Sequence, residues 1–452
     1  MFSSTKQPRV AVVGGGVAGS SIALYLGELG AKVSLFEKSS SLVSGPPICH
    51  LHAGGNLYRE IPDSECVTLL HESFAFMQRF EDAIDYRPTI ITIPLEDSGE
   101  PKDLLARLEL LKQEYLKLGG EGEYFQFLSK EQLLEQAKRN KWLRNFVKYV
   151  KLDLLKFPVV LVQEYGINVF VLGATLSLAL KEHPNVTLQM AQEVCSIKKL
   201  SKGFEVEGEV YDYLINAAGF LSGKVDDMLG YKRKRFVEFK AAYVSRCDSL
   251  EGVWPEMIFH GKRGTPQGMA QFTPYPDGYF QLHGMSQDIT LFRDGLVQNS
   301  NTSSQPNLPQ HFLEKITRGW DKEDVEQRTQ RAIAKVSRFI PAFKDAKVVS
   351  KPLYGAQQIP GDDADLRAAE VSFESGGYAR CEIVKASSVM KMGIEIAKDL
   401  QKLGFLDGCE LERVKLPSLE HLDKEHLRHY AQQVALQRGY PSSLGSVCFD
   451  AL

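Results

Sequence analysis

The stretch Val-Val-Gly-Gly-Gly-Val-Ala-Gly, residues 12–19, decides the fold of this chain. An apolar run at residues 10–13 leads into it, a segment with spaced apolar residues follows at 20–29, and a second apolar run at 32–36 ends on Glu37. This order is typical of a strand, a tight turn, a helix and a second strand. The pattern therefore predicts a unit whose first strand and helix are joined by glycines.

The glycines of this turn have the spacing of a dinucleotide-binding site. Gly14 suits the tight turn, Gly16 lets the backbone approach a pyrophosphate, and Gly19 lets the helix pack closely on the strand. Glu37 comes 23 positions after Gly14, where a carboxylate reaches the ribose of an adenosine. A glycine-rich turn without a ligand is the alternative. The residues predicted here to bind a cofactor are Gly14, Gly16, Val17, Ala18, Gly19, Glu37 and Lys38.

Composition and charge exclude several classes of protein. The chain has 452 residues, 43% hydrophobic and 25% charged, and a formal net charge of −3, so it offers no overall cationic field for nucleic acid. Its seven cysteines form no Cys-x-x-Cys pair, which argues against a disulfide framework and a metal site. The longest uncharged stretch, residues 165–180, is shorter than the roughly 18 residues of a transmembrane span. We expect a buried helix there, no transmembrane segment and a cytoplasmic protein.

Beyond the first unit the parallel pattern breaks off. Residues 63–85, 101–118 and 130–146 have helical spacing of apolar residues, and period-two alternation begins near residue 185. Strands are predicted at residues 186–190, 203–210, 213–219, 235–245, 269–274 and 278–285, and later helices at 324–339, 385–403 and 420–436. An NAD-dependent dehydrogenase would continue with further strand and helix units, so the interruption favours FAD.

Three motifs together carry a family resemblance. They are the glycine turn, the stretch His52-Ala53-Gly54-Gly55, and the strand end Asn216-Ala217-Ala218-Gly219. The chain resembles the D-amino-acid-oxidase-like FAD-dependent oxidoreductases, nearest the branch of malate:quinone oxidoreductase and L-2-hydroxyglutarate dehydrogenase. The resemblance implies an α/β fold in which a Rossmann-like FAD-binding domain of the glutathione-reductase type is interleaved with a substrate domain of antiparallel sheet and helices.

The resemblance also implies a division of the chain and several site residues. The FAD-binding domain would comprise residues 1–90, 155–225 and 350–405, the substrate domain residues 91–154 and 226–349, and a helical tail residues 406–452. His52, Ala53 and Gly54 would lie beside the isoalloxazine ring, with Ala218 and Gly219 on the adenosine side. Val194 is a further predicted cofactor-binding residue. The family's glycine-rich segment over the flavin is replaced here by residues 382–388.

Oxidation of a carbon by flavin requires a base and a positive group near the ring. His52 is the first candidate for the base, and it is also a candidate for covalent attachment of the flavin. His260 and His283 on the antiparallel sheet are rivals, because a histidine titrates near neutral pH. Lys385, with Ser387 at the start of the last flavin-domain helix, could hold the anionic charge. Structural histidines and a surface lysine before an ordinary helix cap are the alternatives.

A carboxylate substrate calls for a guanidinium, which can bind it with two parallel hydrogen bonds. The candidates are Arg367, grouped with the catalytic residues, and Arg59 and Arg380 as substrate-binding residues; surface salt bridges are the alternative for each. The dense basic run at residues 232–235 could contact anionic lipid, although a solvated turn is the simpler interpretation.

These observations predict an FAD-dependent oxidoreductase. Its substrate would be a small 2-hydroxy acid, malate- or 2-hydroxyglutarate-like, oxidised by hydride transfer to flavin N5, with electrons passed to quinone or oxygen. Use of quinone would place the enzyme on the inner face of a membrane. The first alternative is oxidation of an amino acid or secondary amine, and the second is a flavin-binding assembly factor without turnover.

Overall fold

The computed structural model describes residues 7–44, 61–366, 368, 370–406 and 410–449. These residues form the α-helices α1 Val17–Glu28, α2 Asp63–Met77, α3 Leu105–Lys117, α4 Lys130–Ala137, α5 Lys141–Tyr149, α6 Val169–Glu182, α7 Ser222–Met228, α8 Gln310–Thr317, α9 Lys322–Ser337, α10 Val389–Lys402, α11 Pro417–Glu420 and α12 Lys424–Gln437.

The strands of the same residues alternate with these helices along the chain. They are β1 Arg9–Val13, β2 Lys32–Glu37, β3 Ile84–Asp85, β4 Thr89–Pro94, β5 Phe125–Leu128, β6 Leu155–Val162, β7 Gly166–Ile167, β8 Val186–Met190, β9 Ile197–Lys199, β10 Phe204–Val206, β11 Glu209–Tyr211, β12 Tyr213–Asn216, β13 Arg235–Arg246, β14 Glu256–Phe259, β15 Ala270–Pro274, β16 Tyr279–Gly284, β17 Leu296–Gln298, β18 Lys347–Val348, β19 Leu353–Pro360, β20 Glu370–Glu374 and β21 Tyr378–Glu382.

Two large sheets organise the molecule. The first has six strands in the order β20-β21-β12-β1-β2-β8, and all of its pairings are parallel except that of β20 with β21. The second has ten strands, with β13, β16, β15, β14, β4, β6 and β5 in succession and further strands on β13. Its pairings are antiparallel except that of β14 with β4. This architecture confirms the predicted fold class.

Apolar burial explains why the sheets take these forms. The central strand β1 is buried on both faces, as expected for a parallel strand, and one of these faces packs on β9, β10, β11 and α7. Helices α1, α6 and α10 share one apolar core with it. A separate core lies between the ten-stranded sheet and helices α4, α5 and α9. Each sheet thus stabilises its own layer of helices.

Several predicted elements differ in their bounds. The helix predicted at 63–85 ends at Met77, and the chain then forms β3. The helix predicted at 130–146 is two helices, because the Asn140 side chain accepts hydrogen bonds from the backbone of Trp142 and Leu143 and starts α5. The strand predicted at 203–210 is the hairpin of β10 and β11, which turns at Glu207 and Gly208, both with positive φ.

Sheet membership divides the chain differently from the predicted domain boundaries at three points. Strands β4, β6 and β19 belong to the ten-stranded sheet, although parts or all of them fall within the segments predicted for the FAD-binding domain. The predicted tail includes α12, which packs on α6. Among the described residues no helix is both long and apolar enough to cross a bilayer.

Candidate active site

The glycine turn joins β1 to α1 in the way that the sequence predicted. Gly14 has a φ of +105°, and a Cβ atom there would lie 2.4 Å from the carbonyl oxygen of Ala217. A Cβ atom on Gly19 would lie 1.8 Å from the Gly14 carbonyl oxygen. Both positions therefore require glycine for packing within the protein. A Cβ atom on Gly16 would meet nothing within 4 Å, so this side of the turn is open.

Glu37 holds the turn in place. Its carboxylate accepts a hydrogen bond from the backbone N–H of Gly15 at 2.8 Å and another from Ser39 at 2.7 Å. The side chain is buried and lines the same cavity as Gly16. Each oxygen still has a second lone pair, so the carboxylate can also accept from a ribose hydroxyl.

The turn opens onto a cavity of about 610 Å³ between the two large sheets. On one side lie the ends of β1, β2 and β12 and the connection from β21 to α10. On the other side lie residues of β13, β15, β16 and β19. Eleven of the predicted site residues line this cavity: Gly14, Gly16, Val17, Ala18, Glu37, Lys38, Val194, Ala218, Gly219, His283 and Lys385.

The open side of Gly16 and the start of α1 fit a dinucleotide. Helix α1 begins at Val17, with no acidic residue in its first turn, and Gly16, Val17 and Ala18 all line the cavity. The N–H groups and the positive end of the helix dipole thus face the cavity, and no acidic side chain of the helix's own first turn occupies them, which favours a pyrophosphate. These residues would hold the diphosphate of FAD, and Glu37 its ribose.

Other predicted residues lie elsewhere. Ser387 and His260 are buried and do not line the cavity. Arg380 is 1% exposed, and its guanidinium is bonded to Asp226 and, at 3.0 Å, to Glu374. A substrate carboxylate does not reach Arg380 in this arrangement. The predictions for His52, Ala53, Gly54, Arg59 and Arg367 lie outside the described residues, and all of the residue roles stay predictions.

The basic run at 232–235 is partly exposed, with Lys232 and Lys234 exposed, Arg233 half-buried and Arg235 buried. Arg235 is fully buried and bonded to Asp226. Arg233 pairs with Glu382, which is 0% exposed, and Lys234 lies 3.1 Å from Asp362. The structure thus fits a solvated turn for Lys232 and Lys234 alone, because carboxylates bind the two arginines, and contact with anionic lipid stays a prediction.

The cavity wall on the ten-stranded sheet holds polar residues that the sequence interpretation missed. Glu238 pairs with Lys240 at 2.7 Å and also with Arg263. The Oε1 atom of Gln271 lies 3.1 Å from the Nδ1 of His283, where it can accept a hydrogen bond. Glu238 and Gln271 are both buried. The available signal was a polar residue at alternate positions of an otherwise apolar strand.

The connection from β21 to α10 carries strain and charge next to the cavity. Ile383 has a φ of +49°, which is rare for a β-branched residue. Behind this connection, Glu72 on α2 lies 3.3 Å from Lys391 and also interacts electrostatically with Lys385. Burial raises the pKa of Glu72 to about 7, although the two lysines lower it. Within the described residues, no cluster of three metal-ligating side chains occurs.

Comparison with known proteins decides the family. Residues 9–368 match the model of the DAO family, described as FAD dependent oxidoreductase. The chain belongs to this family. FAD is its cofactor, and the protein is an FAD-dependent oxidoreductase, as predicted. The match does not single out the malate:quinone oxidoreductase and L-2-hydroxyglutarate dehydrogenase branch, which stays a prediction. No curated protein matches the chain significantly in sequence.

Solved structures of this family share the fold over nearly the whole chain. Glycine oxidase from Geobacillus kaustophilus has a TM-score of 0.58 and 14% identity, covering 91% of this chain and 99% of its own. L-proline dehydrogenase from P. horikoshii has a TM-score of 0.57 and 14% identity, and the match covers 92% of this chain and 98% of that protein. L-alpha-glycerophosphate oxidase from Mycoplasma pneumoniae, solved with FAD bound, has a TM-score of 0.56 and 17% identity. The match covers 87% of this chain and 95% of that protein. At these identities the likeness establishes the fold alone.

Proposed function

We propose that the protein oxidises a small 2-hydroxy acid, malate- or 2-hydroxyglutarate-like, at its hydroxyl-bearing carbon. The observation that carries this proposal is the position of His283, a histidine of the substrate-side sheet, in the wall of the cavity that begins at the glycine turn. Bound FAD would supply the hydride acceptor, its N5 atom. The residues of the chain then have to bind the acid and remove one proton.

His283 suits the removal of that proton. When an alcohol becomes a ketone, the C–H bond breaks with its electron pair and the hydroxyl proton must go to a base. A neutral imidazole accepts such a proton around neutral pH. His283 would take the hydroxyl proton while the carbon–oxygen double bond forms. His52 stays an alternative base, since it lies outside the described residues.

Lysines of the cavity wall support an anionic substrate. Lys38, Lys224, Lys240 and Lys385 all line the cavity. Lys240 belongs to the same sheet as His283, and its partner Glu238 also binds Arg263. Arg263 also lies 3.6 Å from Asp365, so the support comes from the whole cavity lining, where four lysines face the three carboxylates of Glu37, Glu193 and Glu238. We assign that contact to Lys240, with Arg59 and Arg367 as further candidates.

Oxidation of an amino acid or secondary amine is the second candidate. Glycine oxidase and L-proline dehydrogenase, whose names give amino acids as substrates, share the fold of this chain. Such a substrate is an ammonium ion at neutral pH and must lose an N–H proton before hydride transfer, so His283 could also serve as its base. We put the hydroxy acid first because oxidation of an alcohol always releases an O–H proton, whereas an amine that binds unprotonated needs no base.

An anaerobic reduction series tests the proposal. The FAD-loaded protein is mixed without oxygen with malate, 2-hydroxyglutarate and lactate, and separately with glycine, proline and N-methylglycine, while the flavin absorbance near 450 nm is followed. Bleaching by a hydroxy acid alone supports the proposal, and bleaching by an amine alone overturns it in favour of the second candidate. No bleaching by any compound favours a flavin-binding assembly factor without turnover.

The electron acceptor belongs to the same proposal. Reoxidation of the bleached protein by a soluble quinone or by oxygen identifies it. Use of quinone would place the reaction at the inner face of a membrane, whereas use of oxygen fits the cytoplasm. The described cysteines are free, which fits a reducing compartment. Cosedimentation with anionic lipid vesicles tests the membrane location directly.

A further inference from the structure

A buried chain of hydrogen bonds runs from the cavity into the ten-stranded sheet. His283 on β16 and Gln271 on β15 are directly paired across the two strands. The Nδ1 atom of His283 lies 3.1 Å from Oε1 of Gln271, and Nε2 of Gln271 donates to Oε1 of Glu256. The other oxygen of Glu256 lies 2.6 Å from the guanidinium of Arg87. The cavity histidine is therefore connected to a buried ion pair.

The ion pair of Glu256 and Arg87 determines which end of the Gln271 amide faces Glu256. Glu256 is 0% exposed and Arg87 is 4% exposed, and both Nε and Nη2 of Arg87 face the same Glu256 oxygen. Arginine stays a cation in proteins, and a carboxylate facing it in this way is ionised. An ionised carboxylate only accepts hydrogen bonds. Gln271 must therefore turn its NH₂ group toward Glu256.

This orientation has a consequence for the histidine. An amide that points its NH₂ group at Glu256 presents its carbonyl oxygen to His283, and that oxygen can only accept. Nδ1 of His283 must then carry the proton. In a neutral imidazole the lone pair is consequently on Nε2.

We infer that Gln271 and Glu256 are positioning residues that hold His283 in its Nδ1–H tautomer, with Nε2 as the atom that accepts the substrate proton. The inference rests on the proposed function for the role of the proton, while the tautomer follows from the described contacts. Gln271 also contacts Thr273, whose hydroxyl donates to Glu256 at 3.3 Å, so the amide is held on two sides.

A nitrogen NMR experiment tests the tautomer without any substrate. The FAD-loaded protein is prepared with ¹⁵N-labelled histidine, and His283→Gln assigns the resonances. The expected result is a pyrrole-type Nδ1 and a pyridine-type Nε2 for His283 at high pH. In Gln271→Leu the proton is no longer held on Nδ1, so both nitrogens of His283 should shift toward values averaged between the two tautomers. An Nε2–H tautomer in the unsubstituted protein, or no change in Gln271→Leu, would overturn the inference.

A matched variant separates this role from general packing. Gln281 lies on β16, is 3% exposed against 2% for Gln271, and makes one long contact, 3.4 Å, with the hydroxyl of Tyr275. Gln281→Leu makes the same chemical change in the same sheet and removes no hydrogen bond to His283, Gln271 or Glu256. It should leave the tautomer signals unchanged. Equal changes in both variants would show that the effect is packing and would overturn the inference.

Flavin reduction supplies the second measurement. Gln271→Leu should slow reduction by the best substrate about 10- to 100-fold, the scale seen when an orienting partner of a histidine is removed, with the apparent substrate Kd nearly unchanged. Glu256→Gln should slow reduction to a similar extent, because the Gln271 side-chain amide loses the carboxylate that orients it. If Glu256→Gln does not fold, Gln271→Leu alone tests the inference. If no substrate reduces the flavin although the tautomer is Nδ1–H, the proposed function fails and the positioning stands.

Discussion

The carboxylate of Glu37 and the backbone N–H of Gly15 are joined by a buried hydrogen bond of 2.8 Å across the cofactor turn. The residue that is expected to bind the ribose is therefore also a residue that shapes the turn. Deletion of the side chain would remove both roles together. A change from carboxylate to amide keeps the size of the side chain and removes one accepting oxygen.

Glu37→Gln should weaken FAD binding. An amide has one accepting oxygen, so one of the two backbone N–H groups now held by Glu37 would lose its partner, at a cost of about 1–3 kcal/mol. The expected result is an increase of about tenfold or more in the Kd for FAD, measured by fluorescence titration of the apoprotein. Glu209→Gln, at an exposed position of β11, is the control. An unchanged Kd in Glu37→Gln would contradict this role.

Alanine at Gly19 should affect the stability of the fold, whereas alanine at Gly16 should affect the binding of FAD. At Gly19 the new Cβ would clash with the Gly14 carbonyl, so Gly19→Ala should lower the free energy of unfolding of the apoprotein by about 1–3 kcal/mol or more. At Gly16 the Cβ meets nothing, so Gly16→Ala should keep the Tm of the apoprotein but bind FAD more weakly. Thermal unfolding with and without FAD measures both. The prediction fails if Gly16→Ala binds FAD normally.

His283→Gln should slow substrate reduction of the flavin. Loss of a general base costs about 10²- to 10⁴-fold in rate. His260 is equally buried, at 5% exposure, but does not line the cavity, so His260→Gln is the matched control and should reduce at the normal rate. Anaerobic stopped-flow measurement of both variants at equal FAD content is the test. If the two variants are equally slow, the assignment of the base to His283 is wrong.

Asp226→Asn should destabilise the fold. Asp226 on α7 binds Arg235 of β13 and Arg380 of β21, and all three side chains are buried. Removal of its charge leaves two buried guanidinium groups without their shared partner, at a cost of about 3–5 kcal/mol. Urea unfolding measures the loss. The neighbouring Asp227, which binds Ser303 and Ser304, gives the control Asp227→Asn, with an expected loss of about 1 kcal/mol. Equal losses would count against the buried cluster.

Glu72 should make stability depend on pH. Its pKa in the folded protein is about 7, because burial raises it from 4.5. The folded state thus holds the proton more tightly than the unfolded chain, so this contribution is complete below pH 4.5 and is lost as the pH rises to 7, by about 3 kcal/mol in total. Glu72→Gln should remove that loss.

Urea unfolding from pH 5 to 8 tests the Glu72 prediction by difference. The free energy of unfolding of the unsubstituted protein, minus that of Glu72→Gln, should fall by about 2 kcal/mol or more over this range. Glu425→Gln, at an exposed position of α12, should give a flat difference. A flat difference for Glu72→Gln as well would show that this carboxyl does not titrate with the raised pKa.

Local rules explain what the sequence could predict. The glycine turn and α1 depend on neighbouring residues, since each glycine is needed for a contact or approach within the unit. The helix at 101–118 also forms much as predicted, as a short 3₁₀ turn that leads into α3. In contrast, the break between α4 and α5 depends on the single cap residue Asn140, which a continuous apolar pattern conceals.

Long-range pairing explains what the sequence could not predict. Arg87 and Glu256 are 169 residues apart and meet only because β4 and β14 are parallel neighbours. Arg233 pairs with Glu382, 149 residues away in the chain, so one residue of an apparent surface run belongs to a partly buried ion pair. The polar wall of the cavity depends on the register of β13, β15 and β16. A pattern along one strand does not give that register.

The last helix holds a loop that is synthesised much earlier than the helix itself. Arg438, which caps the end of α12, donates to the backbone carbonyls of Leu42 and Val43, just beyond the segment that Glu37 ties to the glycine turn. The two sides of this contact are 395 residues apart in the chain. During synthesis, the strand and turn that we expect to bind the phosphates of FAD emerge long before the arginine that holds their neighbouring loop. The cofactor therefore meets its finished binding surface only after translation has passed Arg438.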